Sequence, residues 1–159
     1  MNVEQRNRLI SIVLAIIIIA LGYYLYRSIV DPYQEVIERE QMTERVRERM
    51  TTVREALNLY RRRVDSFPPS DGGLDTLVQY LKTDSLMSIQ ADSILAPDDP
   101  AEEFNVDSLI YSPRPPHSKF EYTLNDTLRP QIYLLKDPDS EDKIGSLENT
   151  TELNEASWN

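Results

Sequence analysis

Residues 9–26, LISIVLAIIIIALGYYLY, carry no charge. A helix of that length, rising ~1.5 Å per residue, crosses most of a hydrocarbon core ~30 Å thick. Ile29 and Val30 extend the apolar run beyond Arg27. Tyr23, Tyr24 and Tyr26 at its end suit the aromatic belt of a membrane–water interface. A cleaved signal peptide has a shorter apolar core and small residues at its cleavage site; here the run is long and ends in tyrosines and Arg27. The sequence therefore predicts a short flank over residues 1–8, a retained transmembrane helix over 9–30, and a soluble domain after it. Arg6 and Arg8 precede the span, and no further Arg follows Arg27 until Arg39. That asymmetry places the N-terminus in the cytoplasm.

Charge is unevenly spread beyond the span. Residues 31–63 hold eight Arg against seven Asp/Glu, whereas residues 64–159 hold six Lys/Arg against nineteen Asp/Glu. Nucleic-acid recognition needs basic surface, so no nucleic-acid partner is expected. The chain has no cysteine, which excludes disulfides and thiolate chemistry, and a single histidine, His117.

Asp31-Pro32 predicts an interruption, because proline lacks a main-chain donor and disfavours helical geometry before it. Residues 33–64 then read as one long helix, free of Gly and Pro. Val46, Met50, Val53, Leu57, Tyr60 and Val64 step by alternate fours and threes, which makes a narrow apolar stripe. The stripe is either an interaction seam for another chain or the face that packs on the domain's own sheet; the second is the plainer reading. Arg61-Arg62-Arg63 suits the negative end of the helix dipole.

Phe67-Pro68-Pro69 stops the helix and Ser70-Asp71-Gly72-Gly73 turns the chain. Leu74, Leu77, Val78 and Leu81 predict a second helix over 74–82. Residues 83–108 form an acidic, proline-containing connector. Strands are predicted at 109–111, 120–124 and 132–135, in a three-strand antiparallel meander. Phe120, Tyr122 and Leu124 alternate with Glu121 and Thr123, giving one buried and one wet face. The domain is drawn over residues 31–145, with residues 146–159 as a flexible tail of low apolar content.

The order of parts resembles type IV pilins and type II secretion pseudopilins: an α+β fold in which a span leads to a long helix packed on a small antiparallel sheet. The local likeness lies in Arg54-Glu55-Ala56-Leu57-Asn58-Leu59-Tyr60, then Phe67-Pro68, then Gly73-Leu74-Asp75-Thr76-Leu77. A prepilin leader, basic, ending in Gly and followed by Phe-Thr-Leu-x-Glu, has no counterpart before the span, so cleavage by a prepilin peptidase is not expected. The chain is also similar to small single-pass envelope proteins of the Bacteroidota type, in Thr83-Asp84-Ser85-Leu86 and Asp107-Ser108-Leu109-Ile110-Tyr111. The resemblance implies a bacterial inner-membrane protein with a periplasmic C-terminal domain.

Asp137, Asp139 and Asp142 lie within six residues, and calcium takes several oxygen ligands in flexible geometry. Some pseudopilins bind calcium in a loop at a comparable place. The spacing is not that of an EF-hand, and a solvated acidic turn is the plainer reading. His117 has no spacing to a Ser and a carboxylate that suggests a triad. The expectation is a protein without catalytic activity and without a cofactor other than the calcium candidate. It meets lipid through residues 9–30, and its partners are other membrane subunits or copies of itself. Two roles fit: a structural subunit of a secretion or pilus-type assembly, or an anchored accessory subunit on a larger membrane complex.

Overall fold

The computed structural model describes residues 3–83 and 105–158. Most of the acidic connector, residues 84–104, lies outside the described residues. The first helix, α1, is Val3–Val64. The chain divides into two compact units between Gln41 and Met42.

In the first unit every described residue from 3 onward is helical and the apolar run faces outward: Ile19 is 72% exposed and Tyr24 74%. One helix near the N-terminus is thus long and apolar enough to cross a membrane, and none of its most apolar window is buried. The interruption expected at Asp31-Pro32 is absent, since α1 continues through both residues. A proline removes only one donor from the ladder, and its fixed φ is itself helical, so the bonds on either side carry the helix forward.

In the second unit α1 turns amphipathic. Val46, Met50, Val53 and Leu57 are fully buried and Tyr60 nearly so, with Ala56 and Leu59 widening the stripe. Val64, assigned to the same stripe by its spacing, is 41% exposed, because the helix ends there and its last turn runs past the core. Asp65 takes a left-handed conformation (φ 60°), and its N–H donates to the Arg61 carbonyl at 2.8 Å. That single bond satisfies one of the orphan carbonyls of the last turn. Arg61 then lies over the Phe67 ring, 4.9 Å from its centroid.

Helix α2, Gly73–Thr83, buries all four of the residues whose spacing predicted it, Leu74, Leu77, Val78 and Leu81. The strands are β1 (Glu121–Asn125), β2 (Ile132–Lys136) and β3 (Lys143–Gly145), antiparallel neighbours in chain order. The meander was expected, but its membership differs. Residues 109–111 are not a strand: Tyr111 makes only an isolated bridge to Lys119, and the preceding turns bond Leu109 N–H to Val106 and Tyr111 N–H to Ser108. Leu109 and Ile110 are nonetheless buried, because a short apolar run signals burial rather than a particular backbone. The third strand is Lys143-Ile144-Gly145, too short and too poor in apolar residues to announce itself. Gly145 has φ +84°, and a Cβ there would stand 2.2 Å from the Tyr133 carbonyl oxygen, so only glycine fits this strand end.

Residues 146–158 are not a free tail. They contain a 3-10 turn, Thr150–Glu152, capped by the Asn149 side chain. Ala156 bridges Ile144, and Leu153 and Trp158 pack against the core. Main-chain pairing at a sheet edge needs no apolar content, which is why composition missed it.

The stripe residues from Val46 to Tyr60, the apolar face of α2, Phe120, Tyr133, Leu135 and Ile144 form one buried cluster. The apolar stripe therefore belongs to the unit's own core and is not an open interaction seam. Leu57→Ala should cost about 3 kcal/mol, as for other large-to-small core changes, whereas Val64→Ala should stay within about 0.5 kcal/mol. Urea unfolding of the two variants checks the difference; equal losses would contradict this packing.

Candidate functional site

The long helix delivers a row of arginines to chain segments far away in sequence. Arg47 donates from Nε and Nη2 to Asp142 Oδ2 and Oδ1, each at 3.0 Å. Its guanidinium also lies over the Trp158 ring, 5.3 Å from the centroid. Arg49 Nη1 donates to the Ser108 carbonyl at 3.0 Å, and Arg54 Nη1 to the Asn154 carbonyl at 3.3 Å. Planar, two-pronged guanidinium donors suit such carboxylate and carbonyl targets better than lysine would.

A further arginine, Arg114, comes from the turn after Tyr111. It donates to the Asp139 carbonyl at 3.1 Å and to Thr43 Oγ1 of α1 at 3.2 Å, and its Nη1 is 3.6 Å from Asp137 Oδ2. Residues 137–142 close on themselves between these two arginines. Asp137 N–H donates to the Asp142 carbonyl (3.0 Å), and Ser140 Oγ donates to Asp137 Oδ2 (2.7 Å) while accepting from Asp142 N–H (3.2 Å). The Asp137 side chain is fully buried, and its Oδ1 has no hydrogen-bond partner among the described residues.

This geometry gives each of the three aspartates proposed as calcium ligands different company. Asp142 spends both carboxylate oxygens on Arg47, Asp137 turns to Ser140 and Arg114, and Asp139 is exposed and contributes its main-chain carbonyl. No three His, Cys, Asp or Glu side chains among the described residues come together as a metal would require. What the arrangement does is mechanical: it ties the loop after β2, the turn after Tyr111 and the C-terminal tryptophan to the first turns of α1 in this unit. The sequence offered no local sign of it, because Arg47 and Asp142 are 95 residues apart.

His117 is exposed and left-handed (φ 64°), its Nδ1 3.1 Å from the Ser112 carbonyl. That contact joins the ring to its own turn. Two phenols lie deeper. Tyr122 donates to the Pro68 carbonyl at 2.9 Å and Tyr133 to Asn154 Oδ1 at 3.0 Å, and their rings stack with centroids 6.0 Å apart. Burial pushes both phenols above the ordinary range; neighbouring Tyr133 and Tyr60 add to the effect at Tyr122, while Arg54 opposes it at Tyr133.

The chain matches no known protein family, no curated protein and no solved structure.

Two outcomes follow from this geometry. Arg114→Met leaves the buried Asp137 carboxylate with only the Ser140 hydroxyl, and should destabilise the unit by about 2–3 kcal/mol, less than for a fully enclosed pair because Arg114 reaches solvent; denaturant unfolding measures it. The raised phenols bind their protons more tightly folded than unfolded. Their contribution is complete below the unfolded value of about 10 and is lost as pH rises above it. The thermal midpoint should therefore fall between about pH 9 and pH 11, and Tyr133→Phe should flatten that fall.

Proposed function

We propose that this protein is a non-catalytic, membrane-anchored structural subunit of a bacterial envelope assembly, with a pilin-like plan. Residues 9–30 cross the inner membrane once, and the acidic unit lies in the periplasm. The observation that carries this reading is the contrast within α1. Its first part presents an uninterrupted apolar surface outward, while its second part seals its apolar stripe inside a small α+β core. A helix that is apolar all round needs lipid or other spans against it. The aromatic side chains Tyr23, Tyr24, Tyr26 and Tyr33, all strongly exposed, mark where such a span would meet the headgroups.

The soluble unit supports a scaffold role in another way. Arg47, Arg114, Asp137 and Asp142 are engaged with one another and with main-chain groups, and they hold segments in place. The sealed stripe also favours a second reading, an accessory subunit fixed to a larger membrane complex. With no apolar seam left on the second half of α1, association falls to the span and to polar surfaces of the unit.

The test is purification of the full-length chain from its native membrane in mild detergent, with mass spectrometry of its N-terminus and of everything that accompanies it. The chain should resist alkaline extraction and bring copies of itself or pilin-like envelope subunits with it. A fixed stoichiometry with unrelated membrane subunits would select the accessory reading. A chain released by alkaline washing, or one that travels alone, would overturn both.

A further inference from the structure

One tripeptide recurs along the chain. Asp, then Ser or Thr, then Leu or Ile occurs at Asp75-Thr76-Leu77, Asp84-Ser85-Leu86, Asp92-Ser93-Ile94, Asp107-Ser108-Leu109 and Asp126-Thr127-Leu128. The chain has thirteen Asp, and five of them open this pattern, all between residues 75 and 128. Random order at this composition would scarcely produce one. The recurrence calls for a common cause.

Folding does not supply it. The second and third copies lie outside the described residues. Among the described residues the pattern falls in the first turn of α2 at Asp75, in the tight turns before Tyr111 at Asp107, and in a bend after β1 at Asp126. The aspartates differ in their company: Asp75 pairs with Lys119 and Asp107 with Lys82, whereas the Asp126 carbonyl accepts from Arg129 at 3.2 Å. Leu77 and Leu109 belong to the core, but Leu128 is half-buried and outside it. One side-chain order on three different backbones fits recognition of the sequence itself, as when a modifying enzyme reads an acceptor and its neighbours.

The reactive group common to all five copies is a hydroxyl. Thr76 and Ser108 are half-buried: Thr76 Oγ1 lies against Gly72, and Ser108 Oγ donates to the Asn105 carbonyl at 2.8 Å. Thr127 is exposed, in the connection between β1 and β2, where an enzyme has access. Its Oγ1 donates to Asn125 Oδ1 at 2.6 Å, a bond that engages the proton and leaves the oxygen its lone pairs for attack. The nearby Asn125 amide is committed within the fold, since its Nδ2 donates to the Leu147 carbonyl at 2.8 Å.

Charge decides what such a hydroxyl takes. Residues 64–159 hold six Lys/Arg against nineteen Asp/Glu, and Asp126 adjoins the acceptor. A phosphate would add about two more negative charges beside that carboxylate. A neutral glycosyl group adds none, and it suits a polar surface turn.

We propose that Thr127 is an acceptor for O-linked glycosylation, with the order Asp126-Thr127-Leu128 as its recognition sequence. The Thr127 oxygen bonds to the anomeric carbon of an activated glycosyl phosphate. The bond from that carbon to the phosphate breaks with its electron pair on the phosphate, and the hydroxyl proton passes to a base of the transferase. The proposal rests on the membrane-anchored reading, which puts the acidic unit away from the cytoplasmic pool of nucleotide phosphoryl donors.

The test is intact-mass measurement and peptide mapping of the full-length chain purified from its native membrane. The peptide that holds Thr127 should carry a sugar-sized mass increment on that residue, kept in Thr127→Ser and lost in Thr127→Ala. Asp126→Asn leaves the hydroxyl in place and should lose the increment as well. Asp126 and Thr127 are exposed, so these variants keep the fold. A bare Thr127, a phosphate-sized increment, a sugar on Asn125, or an increment that survives Asp126→Asn overturns the proposal. Glu148→Cys, exposed and in a chain without cysteine, separates this failure from that of the membrane reading. A membrane-impermeant maleimide labels it in spheroplasts when the unit lies outside the cytoplasm. Labelling together with a bare Thr127 overturns glycosylation and leaves the subunit reading standing. A cysteine shielded from the reagent overturns the periplasmic placement and glycosylation with it.

Discussion

Burial of one face of α1 is the interaction on which the soluble unit depends. Val46, Met50, Val53 and Leu57 lose all contact with water, and each such side chain contributes roughly 1.5–3 kcal/mol against the entropy of ordering the chain. The sheet is small, and its third strand has three residues. A sheet of that size is marginal alone and needs a helix to cover its apolar face. Helix and sheet are therefore stable only together. The same helix has an apolar surface further upstream that is long enough to cross a membrane.

Around that core, polar ties fix what apolar packing leaves free. Hydrophobic burial has no direction and would tolerate sliding of loops over the helix. The two-pronged grip of Arg47 on Asp142 and the three contacts of Arg114 are directional, and they set where the turn after Tyr111 and the loop after β2 meet α1. Asp137 shows the cost of that ordering. Its carboxylate is enclosed with one oxygen lacking a hydrogen-bond partner among the described residues, and it depends on a nearby guanidinium and a hydroxyl.

Much of this was legible in the residues, where the signal was periodic or compositional. The run at 9–26, the stripe from Val46 to Tyr60, the four leucine and valine positions of α2 and the alternation around Tyr122 all repeat at the spacing of their element. The misplaced features lack such repetition. Leu109-Ile110 is buried in turns, β3 holds one large apolar residue, and the C-terminal segment pairs through its backbone. The acidic loop read as a row of oxygens because composition counts charges without showing what faces them.

The sequence alone determined that an apolar helix precedes an acidic α+β domain, and which face of the long helix would be buried, because transfer from water depends on side-chain identity and spacing. Tertiary structure decided the pairing of Arg47 with Asp142, the placing of Asn154 against Tyr133 and the closing of the β3 edge by Ala156. Those contacts join residues from 12 to 95 positions apart. No local rule specifies them; they exist because the packed core brings donors and acceptors together where water no longer competes for them.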